Sequence, residues 1–366
     1  MLDILFCMGR KAFAYMHLVK HLPDNPLDIV GDVHGELTAL HALLAQLGYD
    51  PAGNHPRRRK LVFVGDLVDR GPDSHGVVKL VQALVQAGNA YCILGNHEIN
   101  LLMDDIKDGS GWFFDERHQQ DLKNYAPFRR TPPAQREEFK SFLGSLPVAL
   151  VRDDIRVVHA AWTTPAIQAI DSMALGSVVQ QYKMWDYAAQ SAAEASGLYQ
   201  RYLDEKQRWA SELEDEHNPP PFLDAIAEYE ATQQMVNPLK VLTSGVETRA
   251  QTAFFAGSRW RFSDRVNWWD DYDEAVPVVI GHYWRLFRPV KVTVNTPRYT
   301  QLFKDIPPVA WHGRRRNVFC VDYSVGARWR DRKARRAEQE SRFRLAALQW
   351  PERVLVFDSG ERVPTV

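Results

Sequence analysis

The feature that most constrains this chain is a series of short apolar segments that each run directly into a loop of Asp, His, Asn and Gly residues. In chain order the loops read GDVHG at 31–35, GDLVDRG at 65–71, GNHE at 95–98, VHAA at 158–161 and IGH at 280–282. In open α/β sheets the carboxyl ends of the strands form the ligand crevice. The pattern therefore predicts that polar side chains from five separate segments meet at one place.

Strands and helices are predicted to alternate along the first part of the chain. Apolar strands at 27–30, 61–64 and 91–94 are separated by two stretches, 37–47 and 77–84, in which Leu and Val recur at helical spacing. Strands connected in this way form a largely buried sheet with helices on its faces.

The later strands are closer neighbours in sequence, which predicts a second sheet. We expect a four-layer α/β sandwich, in which two mixed β-sheets pack together and helices flank them. The strands predicted in this part are 148–151, 155–159, 276–280, 290–294, 318–321, 345–348 and 354–357.

A change of composition marks an insertion. Residues 165–275 are rich in Ala, Gln, Glu, Tyr and Trp, and three prolines at 219–221 interrupt a segment that is otherwise predicted to be helical. We interpret this segment as a helical insertion that caps a main domain formed by 27–164 and 276–366.

Residues 1–26 are predicted to be a helical lead-in. Phe13, Met16 and Val19 are spaced for one helix face, and Pro23 and Pro26 would end the helix. No basic region precedes the short apolar start and no small-residue cleavage site follows it, so we expect no signal peptide.

The bulk charge favours neither nucleic acid nor membrane as a partner. The 366 residues carry a formal net charge of −1, which gives no global attraction to a polyanion. No apolar run approaches the roughly 20 residues that span a bilayer, and the three cysteines show no disulfide framework. We expect a cytoplasmic protein with no membrane partner, for which nucleic acid is a poor candidate.

The polar loops have the chemistry of a metal site. Asp32 and His34 lie two residues apart on an extended loop, so both side chains can face one ion, and the carboxylate of Asp66 can bridge two ions. A mixture of oxygen and imidazole ligands suits borderline or hard divalent metals such as Mn, Fe or Zn rather than a thiolate metal. The candidate ligands are Asp32, His34, Asp66, Asn96, His159 and His282.

These ordered motifs resemble the calcineurin-like metallophosphoesterases, and more narrowly the phosphoprotein-phosphatase branch of serine/threonine phosphatases and symmetrical diadenosine tetraphosphatases. The resemblance covers 27–161 and returns at His282. It implies a binuclear phosphoesterase that hydrolyses a phosphate ester or anhydride with metal-activated water. It assigns two divalent metal ions, manganese among the candidates, to the six residues named above.

The resemblance also implies catalytic roles beyond the ligands. His97 would be the general acid that protonates the leaving oxygen, and Asp69 would pair with it and keep its imidazole oriented and protonated. Arg70 would hold the phosphate, because its planar fork matches two oxygens. Arg285 is a second candidate for the substrate phosphate, with a surface role as the equal alternative.

The sequence leaves the substrate open between two classes. A third hypothesis is that the protein has no catalytic activity. Leu94 and the GHYWR segment at 281–285 favour a small phosphate compound such as a dinucleoside polyphosphate, whereas Glu98 favours a phosphatase acting on phosphoserine, phosphothreonine or phosphotyrosine. The third is a catalytically inactive regulator that binds nucleic acid through the basic runs at 57–60 and 328–336. The complete ligand set argues against it.

Overall fold

The computed structural model describes residues 17–256, 259–288 and 302–366. The strands found in these residues are β1 (Val19–His21), β2 (Leu27–Val30), β3 (Lys60–Phe63), β4 (Ala90–Cys92), β5 (Ala149–Arg152), β6 (Ile155–Val158), β7 (Glu247–Ala256), β8 (Arg259–Arg265), β9 (Val278–Ile280), β10 (Val318–Cys320), β11 (Ala346–Trp350), β12 (Val354–Phe357) and β13 (Arg362–Pro364). The helices are α1 (Leu37–Leu47), α2 (Ser74–Gln86), α3 (Asn96–Leu102), α4 (Asp115–Tyr125), α5 (Pro133–Gly144), α6 (Thr164–Ile170), α7 (Val178–Ala195), α8 (Leu198–Arg208), α9 (Asp224–Val236), α10 (Pro238–Ser244) and α11 (Arg328–Lys333).

The larger sheet has the strand order β13-β12-β11-β2-β3-β4. Its strands β2, β3 and β4 are parallel, while β11 runs antiparallel to β2. Helix α1 connects β2 to β3 and helix α2 connects β3 to β4, so the alternation predicted from the sequence is confirmed.

The second sheet has the strand order β1-β5-β6-β9-β10, with β6, β9 and β10 parallel to one another. Apolar residues of both sheets belong to one buried cluster, in which Ile29 and Val62 of the larger sheet share a core with Val157 and Val279 of the second. Two packed mixed sheets with flanking helices are the fold class predicted from the sequence, and this prediction is confirmed.

The segment before β2 differs from the expected helical lead-in. Residues Val19–His21 form a strand that pairs in parallel with β5, and Val19 is buried while His21 is exposed. Three residues are too few for a period-two pattern to be recognised in the sequence. The rest of that prediction, with Phe13 and Met16, lies outside the described residues, as does the strand predicted at 290–294.

The predicted insertion contains the expected helices α7 to α9 but also a β-hairpin. Strands β7 and β8 pair antiparallel, with a register irregularity between Arg249 and Phe254. Phe262 of β8 is buried against Leu223 and Ile226 beside α9, so the hairpin is held by packing that the local sequence does not reveal. The division of the chain into a main domain and an insertion stays a prediction. Within the described residues, no helix is long and apolar enough to cross a membrane.

Arg59 forms a buried ion pair beside β2 and also contacts β11 and the turn that follows it. Its Nε donates to both carboxylate oxygens of Asp28 at 3.0 Å, and NH1 donates to Glu352 at 2.6 Å. Its NH2 group also donates to the backbone carbonyls of Leu27 and Trp350. One member of the basic run at 57–60 is therefore a structural residue and not part of a polyanion surface.

Replacing Arg59 should destabilise the fold without touching the polar loops. Arg59→Gln leaves the buried carboxylate of Asp28 without its charged partner, and we expect the free energy of unfolding to fall by about 3 kcal/mol. Urea unfolding measures the change. Arg57→Gln, at an exposed neighbouring position, should shift stability by no more than about 0.5 kcal/mol. Equal stabilities for the two variants would contradict this account.

Candidate metal centre

The five polar loops converge at the carboxyl ends of strands from both sheets. Asp32, Asp66 and Asn96 follow β2, β3 and β4 of the larger sheet, while His159 and His282 follow β6 and β9 of the second. Close backbone contacts fix the loops, because the N–H groups of Val33 and His34 donate to the carbonyl of Asp66. The structure thus brings together all six candidate ligands, and their role as metal ligands stays a prediction.

One group of possible ligand atoms surrounds His34. Its Nε2 lies 3.7 Å from Oδ2 of Asp66 and 4.0 Å from Oδ2 of Asp32. Its Nδ1 lies 2.9 Å from the carbonyl of Val68. Donation of the Nδ1 proton to that carbonyl leaves the Nε2 lone pair directed at the carboxylates, which is the tautomer a metal ligand needs.

A second group joins Asp66 to His159 and His282. The Nε2 atom of His159 lies 3.3 Å from Oδ2 of Asp66, while its Nδ1 lies 2.7 Å from the carbonyl of Val64. The Nδ1 atom of His282 lies 2.9 Å from Oδ1 of Asn96. Possible ligand atoms of Asp66, His159 and His282 all lie within 4.8 Å of one another, and those of Asp66, His34 and His97 do the same.

The donor set fits divalent metal ions. Asp32 and Asp66 are both almost fully buried, and buried carboxylates require a compensating charge. Burial, together with the nearby carboxylates of Asp322 and Asp66, raises the pKa of Asp32 well above its usual range. Among the described residues, Nε2 of neither His159 nor His282 has a hydrogen-bond partner of good geometry. Buried anions beside unsatisfied imidazole nitrogens have the composition of a site for divalent metal ions.

The protonation states of His34 and His282 agree with this chemistry. Burial, reinforced by Arg70 and His97, lowers the pKa of His34 well below its usual range, and burial with Arg265 and His159 does the same for His282. Both imidazoles are therefore neutral, the form that binds metals. Burial opposes the charge on Asp66, yet the surrounding histidines hold its pKa well below the usual carboxyl range.

His97 is positioned beside the ligand cluster by a fixed carboxylate. Its Nδ1 lies 2.5 Å from Oδ2 of Asp69, and the other oxygen of Asp69 accepts a hydrogen bond from Nε1 of Trp112 at 2.6 Å. The backbone N–H of Asp69 donates to Oγ of Ser74 at 2.9 Å. These contacts set the ring so that Nε2 of His97 faces Asp66 at 3.9 Å.

Arg70 also reaches the centre. Its NH1 group lies 3.0 Å from Nε2 of His34, and its guanidinium carbon lies 4.9 Å from the centroid of the Trp284 ring. Left-handed backbone is concentrated here: six of the twelve non-glycine residues with positive φ in the described chain belong to the site. They are His34, Asp66, Asp69, Arg70, His282 and Trp284. Such conformations cost about 1–3 kcal/mol each and cluster at functional sites.

Glu98 has a role that the sequence reading missed. Its two carboxylate oxygens accept hydrogen bonds from the backbone N–H groups of Asp66, Leu67 and Gly95 at 2.8–2.9 Å. Burial raises its pKa to about 7. Glu98 therefore ties the 65–71 loop to the start of α3, and its position three residues after Gly95 is the capping-box signal that could have revealed this.

Arg285 does not lie where a substrate-binding residue would. It is 2% exposed, its NH2 group donates to the carbonyls of Pro307 and Ala310, and its guanidinium lies between the rings of Phe303 and Phe319. These contacts make it a structural residue. Asp322 holds the same segment by accepting from the backbone N–H groups of Trp284 at 2.8 Å and Ser324 at 2.7 Å.

Arg265 of β8 is the cationic residue that the sequence reading overlooked. It is the largest charge influence on the imidazole of His282, and its guanidinium lies 6.0 Å from the ring of Tyr283. No carboxylate of the described residues lies within ion-pair distance of it. It lies in the predicted insertion, outside every motif, so no local signal could have found it.

Comparisons with known proteins identify related chains. Residues 26–231 match the family model described as calcineurin-like phosphoesterase. The asymmetrical bis(5'-nucleosyl)-tetraphosphatase PrpE of Oceanobacillus iheyensis is 53% identical over 74 residues, which cover 19% of this chain and 30% of that protein. The symmetrical bis(5'-nucleosyl)-tetraphosphatase of Pectobacterium carotovorum is 33% identical over 156 residues, which cover 38% of this chain and 46% of that protein.

Among solved structures, the cold-active protein-tyrosine phosphatase of a psychrophilic Shewanella species aligns with 96% of this chain and 83% of its own, at 15% identity and a TM-score of 0.45. The match to each of the two tetraphosphatases spans less than half of that protein's length.

Glu98→Gln should loosen the candidate centre. The amide nitrogen of Gln has no lone pair for a backbone N–H, so at least one of three buried donors loses its acceptor, at about 2 kcal/mol. We expect lower metal content after dialysis against limiting metal, measured by elemental analysis, together with a lower urea midpoint. Glu137→Gln, at an exposed position, serves as the control. Unchanged metal content in the Glu98 variant would refute the proposed link between the loops.

Proposed function

The chain belongs to the calcineurin-like phosphoesterase family, and we propose that it is a metal-dependent phosphoesterase that hydrolyses a phosphate ester or anhydride. The observation that carries the proposal is the buried convergence of Asp, Asn and His side chains from five loops and two sheets beside the His97–Asp69 pair. Because the matched segments span less than half of the tetraphosphatase relatives, activity and substrate are inferred from this site.

The six ligand residues would hold two divalent ions, for which Mn, Fe or Zn are the candidates that the mixed donor set favours. Such ions supply a nucleophile from water at neutral pH and stabilise charge on the phosphoryl oxygens. The protein contributes by fixing each donor through a second contact. Val68 and Val64 orient the imidazoles of His34 and His159, and the backbone N–H of His282 donates to the carboxylate of Asp32.

His97 would protonate the oxygen of the leaving group. The proton transferred would be the one on Nε2, which faces the cluster, while Nδ1 donates its own proton to the carboxylate of Asp69. Trp112 fixes the carboxylate of Asp69 from the other side. A general acid held in this way contributes roughly 10²–10⁴-fold to a rate.

Arg70 would bind the substrate phosphate, since its guanidinium reaches the cluster beside His34. Arg265 would add positive charge from the His282 side. This contribution gives the segment 165–275 a role in the proposed domain arrangement: an insertion on the main domain formed by 27–164 and 276–366 that supplies a residue to the edge of the site.

The substrate we propose is a small phosphate compound, with a dinucleoside polyphosphate as the leading candidate. This proposal is supported by Leu94, by the 281–285 segment and by the tetraphosphatase activity for which the two relatives are named. Glu98, which had favoured a protein phosphatase, is accounted for by its backbone contacts. A nucleic-acid-binding role is not favoured, because Arg59 is buried in ion pairs. The cytoplasm is the compartment we propose.

Metal dependence is the first test. Metal-stripped protein should not hydrolyse para-nitrophenyl phosphate, and single addition of Mn, Fe, Zn, Co, Ni or Mg should restore turnover for at least one metal. Asp66→Asn should lower the restored rate at least about 100-fold, because it removes the shared carboxylate from both ligand groups. Turnover that survives stripping, or that persists in the variant, would refute the proposal.

The role of His97 predicts a dependence on the leaving group. His97→Asn should lower turnover of phenyl phosphate about 100-fold and that of para-nitrophenyl phosphate much less, since nitrophenolate leaves without a proton. Asp69→Asn should show the same bias more weakly. His41→Asn, at an exposed position on α1, is the control histidine. Equal losses on both esters would exclude general-acid catalysis by His97.

A further inference from the structure

A third strand of the second sheet also ends at the candidate centre, although no motif marks it. Strand β10 pairs in parallel with β9 and continues into a loop at 321–327. The backbone N–H of Val321 donates to the carbonyl of Ile280 at 2.8 Å, and a Cβ atom on Gly31 would lie 2.4 Å from the carbonyl oxygen of Val321. The loop therefore begins in contact with the segments that lead into two of the candidate ligands.

Hydrogen bonds hold this loop against the segment that follows β9. The carboxylate of Asp322 accepts the backbone N–H groups of Trp284 at 2.8 Å and Ser324 at 2.7 Å. The hydroxyl of Ser324 donates to the carbonyl of Arg285 at 2.8 Å. Ser324 is buried and has a left-handed backbone (φ 63°), a conformation that persists only where the surroundings hold it. The loop cannot retreat from the centre without breaking these bonds.

Within this loop, Gly326 lies directly against the imidazole of His34. A Cβ atom on Gly326 would lie 2.3 Å from Cδ2, 2.7 Å from Cγ and 3.0 Å from Cβ of His34, whereas ordinary contacts begin at 3.4 Å. The φ angle of Gly326 lies outside the left-handed region. Glycine is therefore required here by the lack of space and not by the backbone conformation.

The position of this ring edge decides where the candidate ligand atom of His34 points. Cδ2 is bonded to Nε2, which lies 4.0 Å from Oδ2 of Asp32 and 3.7 Å from Oδ2 of Asp66. The other edge of the ring is held as well, because Nδ1 lies 2.9 Å from the carbonyl of Val68. A group that pushes on Cδ2 would therefore displace Nε2 from the carboxylates or break the contact of Nδ1.

We propose that Gly326 is a positioning residue for the candidate metal ligand His34. The loop closes one side of the imidazole, and the missing side chain leaves the space that the ring needs to direct Nε2 at Asp32 and Asp66. A larger residue would weaken the ion that His34 holds, whereas the ligand group of His159 and His282 would keep its geometry. This inference rests on the proposed function and adds to it a sixth loop of the site.

The first measurement is the metal content of matched alanine variants. Wild type, Gly326→Ala and Gly144→Ala are dialysed against limiting Mn²⁺, Fe²⁺ or Zn²⁺ and examined by elemental analysis. Gly144 is the control, because a Cβ atom there would meet Leu102 at 3.7 Å, an ordinary contact. We expect Gly326→Ala to bind one of two ions roughly 10- to 100-fold more weakly, as is usual when the support of a ligand is lost. Wild type and Gly144→Ala should keep both ions.

The second measurement shows whether Gly326 acts through the ring of His34. Gly326→Ala is made in the native chain and in His34→Ala, and urea unfolding of the metal-stripped proteins is followed. Without the ring, Cβ at position 34 is the nearest of the atoms that the new methyl group would meet, at 3.0 Å. The shift of the urea midpoint caused by Gly326→Ala should therefore be less than about half as large in His34→Ala as in the native chain, as expected for coupled neighbours.

The remaining outcomes separate this inference from the proposed function. Equal midpoint shifts in both backgrounds, retention of both ions in Gly326→Ala, or the same loss in Gly144→Ala would overturn the role of Gly326 and leave the phosphoesterase intact. If Gly326→Ala folds only when His34→Ala accompanies it, the contact is supported, and if it folds in neither background, the role is overturned. Wild type that binds none of the three metals would overturn the proposed function together with this inference.

Discussion

The buried carboxylate of Asp66 is the interaction on which the arrangement of the site depends. One of its oxygens lies within 4 Å of Nε2 of His34, His97 and His159, and the other accepts the backbone N–H of His97 at 3.0 Å. A buried anion of this kind is costly unless neighbouring charge and hydrogen bonds compensate for it. The loops after β3, β4 and β6 must therefore adopt their positions together, and the left-handed backbone of several site residues is tolerated because this network holds it.

Most of the fold and of the candidate ligand set could be predicted from the sequence, because both depend on patterns of neighbouring residues. Strands β2 to β4, helices α1 and α2 and the loops after the strands each show their own periodicity or motif within a few residues. Strand β1 and the hairpin of β7 and β8 were missed for the opposite reason. Strand β1 is only three residues long. The hairpin is stabilised by packing of Phe262 against α9, which no local sequence pattern indicates.

Arginine roles were the least predictable part of the site, since a partner distant in sequence decides each of them. Arg59 pairs with Asp28 and Glu352, the second of which is 293 residues away. Arg285 was a candidate for phosphate binding, yet its guanidinium donates to the carbonyls of Pro307 and Ala310. Arg265 is the reverse case, because no motif marks this residue of the predicted insertion, yet its guanidinium lies 6.0 Å from the ring of Tyr283, next to the candidate ligand His282. A sequence identifies each cationic residue, but it does not give the distance from that residue to any anion.

The placement of the candidate ligands on both sheets has a thermodynamic consequence. Asp32, Asp66 and Asn96 follow strands of one sheet, whereas His159 and His282 follow strands of the other, so a cation held among them would depend on donors from both sheets. Separation of the sheets would dismantle the binding site, and unfolding and metal release would then be linked equilibria. Metal at 1,000 times its dissociation constant would add about 4 kcal/mol to the free energy of unfolding. The supply of metal in the surroundings would then govern the lifetime of the folded chain as well as its activity.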